Sequence, residues 1–227
     1  MNKQQLKDII DWDVVNLSKA LNFWESKVHQ INEHPLTCLE LGAQKGGLSL
    51  WLALKGHQVI CSDLESPEQL AIKLHKKYKV ENQITYQAIN ATNIGFNKKF
   101  DLIILKSVLG GVSRNNQHHL KQQTIDSIYN ALKPGGILLF AENLKSTHLH
   151  QVLRNKYNNS GCWNYMDYNE ITKLFTKFEK LEIKTTGFFG TFGRTEFQRN
   201  ILGNIDSFLN YFIPEHKRYI VFGVATK

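Results

Sequence analysis

The chain has few cysteines, no long apolar run and no dense basic block, and each lack narrows what it does. Three cysteines in 227 residues, Cys38, Cys61 and Cys162, are odd in number and widely spaced. They suggest neither a disulfide framework nor a zinc site, and they suit a reducing cytoplasm. Cys38 and Cys61 fall in apolar runs, where a small core residue is the simple reading. No apolar stretch approaches the roughly 20 residues that span a bilayer. The start, "MNKQQLKDIIDWD", lacks the apolar region of a signal peptide, so export is not expected. No cluster of metal-ligand residues stands out, and a metal-independent reaction is expected. Internal repeats, low-complexity segments and interdomain linkers are also missing.

What is present is a balanced globular composition, 42% hydrophobic and 21% charged, with a formal net charge of +8. That is enough apolar content for one sizeable core, so one elaborated domain over 1–227 is the expectation. Residues 144–227 carry 12 Lys/Arg and 7 Asp/Glu, so that part supplies +5 of the charge. The charges are scattered. They are compatible with an anionic partner or substrate but are weak grounds for nucleic acid.

Apolar periodicity divides the chain into alternating elements. Val14, Leu17, Leu21, Trp24, Val28 and Ile31 predict one amphipathic helix over 12–31. "TCLEL" and "HQVICS" read as short buried strands, with a helix from about Gly46 to Lys55 between them. "SPEQLAIKLHKKY" reads as a helix with Ser66 as N-cap and Pro67 in the first turn. "QITYQAI" and "FDLIILKSV" follow as strands, then a helix over 116–132 ending at "KPGG", then the strand "ILLFAEN". Residues 167–178 and 199–212 read as helices, 180–187 and "KRYIVFGVATK" as strands. Non-alternating apolar strands separated by helices predict a parallel sheet with right-handed crossovers.

The segment "TCLELGAQKGGLSLWLALKGHQVICSDLE" carries the chemistry. A strand ending in Glu40 runs into Gly42, Gly46 and Gly47 and then a helix, a tight turn where backbone approaches a ligand closely. The next strand ends about 20 residues on at Asp63, where a carboxylate accepts hydrogen bonds from a ribose diol. A dinucleotide fingerprint needs a glycine at 44, where Gln stands, so a nicotinamide cofactor is disfavoured.

"LELGAQKGG" resembles the first motif of the class I S-adenosylmethionine-dependent methyltransferases, with Gln44 in place of the usual middle glycine. The resemblance continues through "VICSDLE", "INATNI", "FDLIILKSVLGG" and "LKPGG", in the family's order across about 37–227. It implies a Rossmann-like α/β fold, a seven-stranded sheet with six parallel strands and one antiparallel, helices on both faces, and S-adenosylmethionine as cofactor. It implies a cofactor site made of Glu40, Gly42, Ala43, Gln44 and Gly46 at the first turn, Asp63 and Leu64 after the second strand, Asn90, Ala91 and Thr92 after the third, and Lys106 after the fourth. It implies a helical cap at 1–35, a cofactor-binding core at 36–143, and acceptor-side insertions with the final strand pair at 144–227. Plainer roles stand beside these: a helix-dipole partner for Glu40, a loop cap for Asp63, turn chemistry for Asn90.

Acceptor groups are expected from the loops after the fourth and fifth strands. Lys106 ends an apolar strand as an anion contact, a tuned base or a snorkelling surface lysine. His148, His150 and Tyr165 lie in the segment after the fifth strand, and histidine has the proton affinity of a general base. Phe188, Phe189 and Phe192 between glycines read either as an apolar lid or as core. The function expected is methyl transfer to a small molecule or saccharide-type intermediate in the cytoplasm. RNA methylation and non-catalytic cofactor binding are the alternatives. "KSVLGG" is not the Pro-Pro-aromatic motif of nucleic-acid amino-methylating relatives, so specific nucleic-acid binding is not expected. The oligomeric state is left open.

Overall fold

The computed structural model describes residues 1–31, 35–157 and 163–227, so Cys162 lies outside the described residues. Seven strands form one sheet: β1 (Thr37–Leu41), β2 (Gln58–Asp63), β3 (Ile84–Ala88), β4 (Phe100–Lys106), β5 (Leu132–Asn143), β6 (Lys180–Thr186) and β7 (Ile220–Thr226). Their order is β3-β2-β1-β4-β5-β7-β6. The first five pair in parallel, and β7 runs antiparallel to both β5 and β6. The sheet is therefore the expected one, six strands parallel and one antiparallel.

The helices are α1 (Lys3–Ile10), α2 (Val14–Val28), α3 (Gly47–Ala53), α4 (Glu68–Lys77), α5 (Leu109–Val112), α6 (His119–Ala131), α7 (His148–Tyr157), α8 (Tyr168–Lys173) and α9 (Glu196–Leu209). The pleat sends alternate residues of β1 to opposite faces. Cys38 joins one core layer with Ile9, Leu21, Trp24 and Trp51 of α1, α2 and α3. Leu39 and Leu41 join the other, with Phe100, Ile125, Phe140 and Phe175. Trp24 Nε1 also donates to the Gly223 carbonyl at 3.0 Å, fastening α2 to β7.

Four local expectations change. The helix predicted over 12–31 covers only Val14–Val28, because Asp13 adopts a left-handed conformation (φ 47°) that turns the chain. A separate α1 precedes it, started by a capping box in which Asn2 accepts from Gln5 N–H and Gln5 accepts from Asn2 N–H. Ser66 does not cap α4; Pro67 occupies the cap position without a side-chain bond. "LKPGG" is not a free turn but part of β5. Phe100 pairs with Leu132 and Leu102 with Ile137, so the bulge 133–136 lies opposite Asp101. Gly135 supplies the positive φ (+73°) that the bulge needs. Finally, 148–157 is helical, where no element was expected.

Candidate active site

The carboxyl ends of parallel strands leave a crevice, and here it opens over β1, β4 and β5. Glu40, at the end of β1, is buried. Its carboxylate accepts from Ser49 N–H (2.7 Å), Ser49 Oγ (2.5 Å) and Leu48 N–H (3.3 Å), the unpaired donors at the start of α3. Burial raises its pKa to about 7, although Ser49 and Lys106 favour the charged form. Glu40 thus acts as the helix-dipole partner and also lines the cavity.

Between β1 and α3, Gly42, Gln44 and Gly46 have φ of +67°, +47° and +71°. A Cβ on Gly42 would lie 2.6 Å from Val108 Cγ2, so glycine there lets the turn lie against the loop after β4. Gln44 takes the left-handed conformation a glycine would take freely. Its N–H donates to Asp63 Oδ2 at 3.0 Å, while Asp63 Oδ1 accepts from Leu64 N–H at 2.8 Å. The Asp63 carboxylate is turned toward the glycine turn and keeps lone pairs for a ligand. Asn90, exposed beyond β3, accepts from Thr92 N–H and Thr92 Oγ1 at 3.0 and 2.8 Å, which is turn chemistry. Ala91 is buried beside it and Leu64 is 70% exposed.

A cavity of about 730 Å³ begins at the glycine turn and extends beyond β4 and β5. Its near wall holds Glu40, Gly42, Ala43, Gln44 and Lys106. Its roof is α1 with Trp12, and the segment Thr191–Arg194 with Arg199. Lys106 Nζ donates to the Ile10 carbonyl at 2.6 Å, joining the end of β4 to the end of α1. Burial lowers its pKa, against the pull of Glu40 and Asp11. Trp163 forms another wall. It lies directly on Gly110 and Gly111, where any side chain would strike its ring.

Among the proposed acid–base groups, Lys106, His150 and Tyr165 line this cavity. His150 is buried, with both nitrogens engaged: Nε2 faces the Phe188 carbonyl (2.8 Å) and Nδ1 faces Thr147 Oγ1 (2.7 Å). A carbonyl only accepts, so Nε2 carries the proton and Nδ1 accepts from Thr147. Burial keeps the pKa below the ordinary value. Rings of Phe188 and Phe192 pack on it, with centroids at 4.7 and 4.9 Å. In this conformation His150 has no free lone pair and serves to hold the roof. The half-buried phenylalanines belong to that packing. His148 is exposed on α7 and is not a lining residue, contrary to the expectation from its nearness to β5. Tyr165 lies under the Arg154 guanidinium, 4.1 Å from its ring centroid. Sequence reasoning missed Trp12, Ser107, Asn143, Arg194 and Arg199, all lining residues. Only the aromatic and basic character of 187–199 hinted at the last two.

A family model for a methyltransferase domain matches residues 17–179. The chain belongs to the class I S-adenosylmethionine-dependent methyltransferases. No curated protein matches it in sequence. The methyltransferase resembles Haemonchus contortus phosphoethanolamine N-methyltransferase 2 in complex with phosphomonomethylethanolamine and S-adenosylhomocysteine. The TM-score is 0.63 at 17% identity, over 92% of this chain and 52% of that one. It also resembles a Thermotoga maritima S-adenosylmethionine-dependent methyltransferase, named as a possible histamine N-methyltransferase. There the TM-score is 0.61 at 15% identity, over 92% and 89%. The chain spans about half the length of the first of these. S-adenosylmethionine is the family's methyl donor, and the turn fits it: Gly42, Ala43 and Gln44 line the cavity, and the Asp63 carboxylate faces the turn through Gln44 N–H, although Gly46, Asp63, Leu64, Asn90, Ala91 and Thr92 lie outside the cavity lining. Among the described residues no helix is long and apolar enough to cross a membrane.

Proposed function

We propose that this methyltransferase transfers the methyl group of S-adenosylmethionine to a small-molecule acceptor of about saccharide size. The observation that carries the reading is the roofed cavity of about 730 Å³, which runs from the glycine turn to Tyr165 and Arg154. Pockets of roughly 300–1,000 Å³ hold small ligands. Residues 36–143 hold the donor in this reading. Residues 1–35 and 144–227 cover it and shape the acceptor pocket.

Transfer is an in-line displacement: the acceptor's lone pair forms the new bond to the methyl carbon as the sulfonium–carbon bond breaks, leaving a neutral thioether. The protein's share is alignment and removal of the acceptor's proton. Gly42, Ala43, Gln44 and Gly46 present backbone to the donor, with Glu40 holding the turn to α3. Asp63 and Leu64 take the ribose, and Asn90, Ala91 and Thr92 border the adenine. Lys106 stands between the donor turn and the acceptor pocket. The acceptor side has Trp12, Trp163 and Tyr165 as walls and Arg154, Arg194 and Arg199 as cations, a lining suited to an acceptor with an anionic group. The buried free thiols of Cys38 and Cys61 suit a cytoplasmic protein.

Calorimetry tests the donor half. S-adenosylmethionine or S-adenosylhomocysteine should bind in the micromolar range, and Asp63→Ala should weaken binding at least tenfold, or about 1.4 kcal/mol. Tight binding of NAD with no response to the methyl donor would refute it. Labelled methyl donor, supplied with small-molecule, lipid, RNA and protein fractions of a cell extract, tests the acceptor half. Label in RNA with site preference at physiological salt would replace the small-molecule reading. Donor binding without transfer to any fraction would make the chain a cofactor-binding protein.

A further inference from the structure

α9 is inverted for a surface helix. It buries Gly203 and Asp206 and shows its apolar side to solvent. Phe197 is 74% exposed, Ile201 49%, Ile205 44% and Phe208 72%. Tyr211 and Phe212, on the turn that continues the helix, are 90% and 68% exposed. The polar side faces inward because it is bonded there. Asp206 accepts from Phe189 N–H (2.7 Å), Gly190 N–H (2.9 Å) and Asn16 Nδ2 (3.0 Å). Glu196 accepts from the N–H groups of Asp13 and Val14 at 3.1 and 2.9 Å, at the start of α2. These bonds fix the rotation of α9, so the stripe faces outward by construction.

We propose that this stripe is a homodimer interface, in which α9 packs antiparallel on α9 of a second copy across a twofold axis. Three observations select a second copy. The stripe is nearly symmetric about its midpoint: reversing it sets Phe197 opposite Phe212 and Ile201 opposite Phe208, with Ile205 beside the axis. A twofold contact requires such self-complementarity. The exposed positions of α9 are Phe197, Gln198, Ile201, Asn204, Ile205, Ser207 and Phe208. None is charged, so two copies of a chain with net charge +8 meet without like charges in the contact. Interfacial membrane helices instead carry Lys and Arg on an exposed polar face opposite the apolar one, whereas no exposed position of α9 is basic. The area also suffices. A buried aromatic side chain hides ~150–250 Å², so the four exposed aromatics supply about 600 Å² per copy before the isoleucines are added. A standard interface takes ~800 Å² from each partner. Because Arg194 and Arg199, beside and within the start of α9, line the cavity, pairing also steadies the acceptor side of the site.

Light scattering on the full chain, over a wide concentration range, should give twice the chain mass. Phe208→Asp and Ile201→Asp should each weaken association by at least ~30-fold, the effect of losing a central interface residue. Their far-UV circular dichroism should match that of the unaltered chain, since both side chains are exposed in the single chain, and their melting temperatures should no longer depend on concentration. The double variant Ile201→Lys/Phe208→Asp should recover association, because position 201 of one copy faces position 208 of the other. An unaltered chain that stays monomeric at its highest concentration overturns the proposal. So does a dimer whose mass ignores both single substitutions. A monomer that sediments with vesicles of anionic phospholipid would make the stripe a membrane-binding face instead.

Discussion

Gly47→Ala tests whether α1 rests on the glycine turn as described. Gly47 opens α3, and alanine there would ordinarily be favoured by about 1 kcal/mol over glycine in a helix. The structure reverses that sign. A Cβ on Gly47 would strike the Ile9 carbonyl oxygen, with the Ile9 carbonyl carbon at 2.9 Å and the Asp8 carbonyl oxygen at 3.1 Å. Ordinary contact needs ~3.5–4.0 Å, so α1 must retreat by roughly 1 Å. Overpacking of this kind costs ~1–3 kcal/mol. Full release of α1 would forfeit the burial of Ile9 and Ile10, each 1% exposed, at ~1.5–3 kcal/mol apiece. Retreat is therefore cheaper than release, and α1 stays folded but displaced. Calorimetric melting should show Tm lower by roughly 2–12 °C, at ~2–4 °C per kcal/mol for a chain of this size. Amide exchange should quicken over residues 3–12, and donor affinity should fall because Asp8, Ile9 and Asp11 line the cavity. A Tm that rises, with exchange of α1 unchanged, would refute the contact.

Lys106→Met should lower turnover by a factor of 10²–10⁴ while donor affinity changes little, measured by steady-state kinetics beside calorimetry; lost affinity with intact turnover would remove Lys106 from the acceptor side. Gln44→Gly relieves a left-handed side chain worth ~1–2 kcal/mol but adds unfolded-state freedom of ~0.5–1 kcal/mol. Its Tm should therefore hold or rise slightly, with donor binding intact; a loss of several degrees would show that the Gln44 side chain supports the turn. Burial raises the Asp13 carboxyl to about 6, with Asp206 and Glu196 adding to the rise while Tyr219 and Asn16 oppose it. The folded state then holds a proton that the unfolded chain releases near 3.8, so this group's contribution to stability falls as pH rises from about 4 to 6. Asp13→Asn should gain in Tm relative to the unaltered chain across that window and level off above it; a constant difference would refute the shift.

The strand pattern was legible because buried parallel strands are nearly pure apolar runs, as "FDLIILK" shows. The glycine turn was legible because its backbone demands are local. What escaped detection depends on distant partners. α1 carries only Leu6, Ile9 and Ile10 as apolar residues, and its apolar side is completed by α3 and Lys106 from elsewhere in the chain. The split at Asp13 requires a left-handed aspartate held by Tyr219, about 200 positions away. His148 and His150 look alike in sequence, but α7 turns one outward and buries the other among Phe188 and Phe192. The roof arginines, Arg194 and Arg199, reach the cavity only through the packing of α9 on α2.

The order β5-β7-β6 governs the sequence in which the molecule can assemble during synthesis. Among the described residues β6 has no strand neighbour except β7, which is made about 30 residues later. Until β7 emerges, β6 and α9 have no sheet to join, and Trp24 lacks the Gly223 carbonyl it donates to. Asn16 likewise waits for Asp206 and Tyr219. The five strands from β1 to β5 have all their mutual partners beforehand, so this part of the sheet can form before β6 and β7 join it. A nascent chain stalled before Ile220 would present a finished glycine turn beneath an unfinished roof, with its aromatic segment exposed to chaperones and proteases.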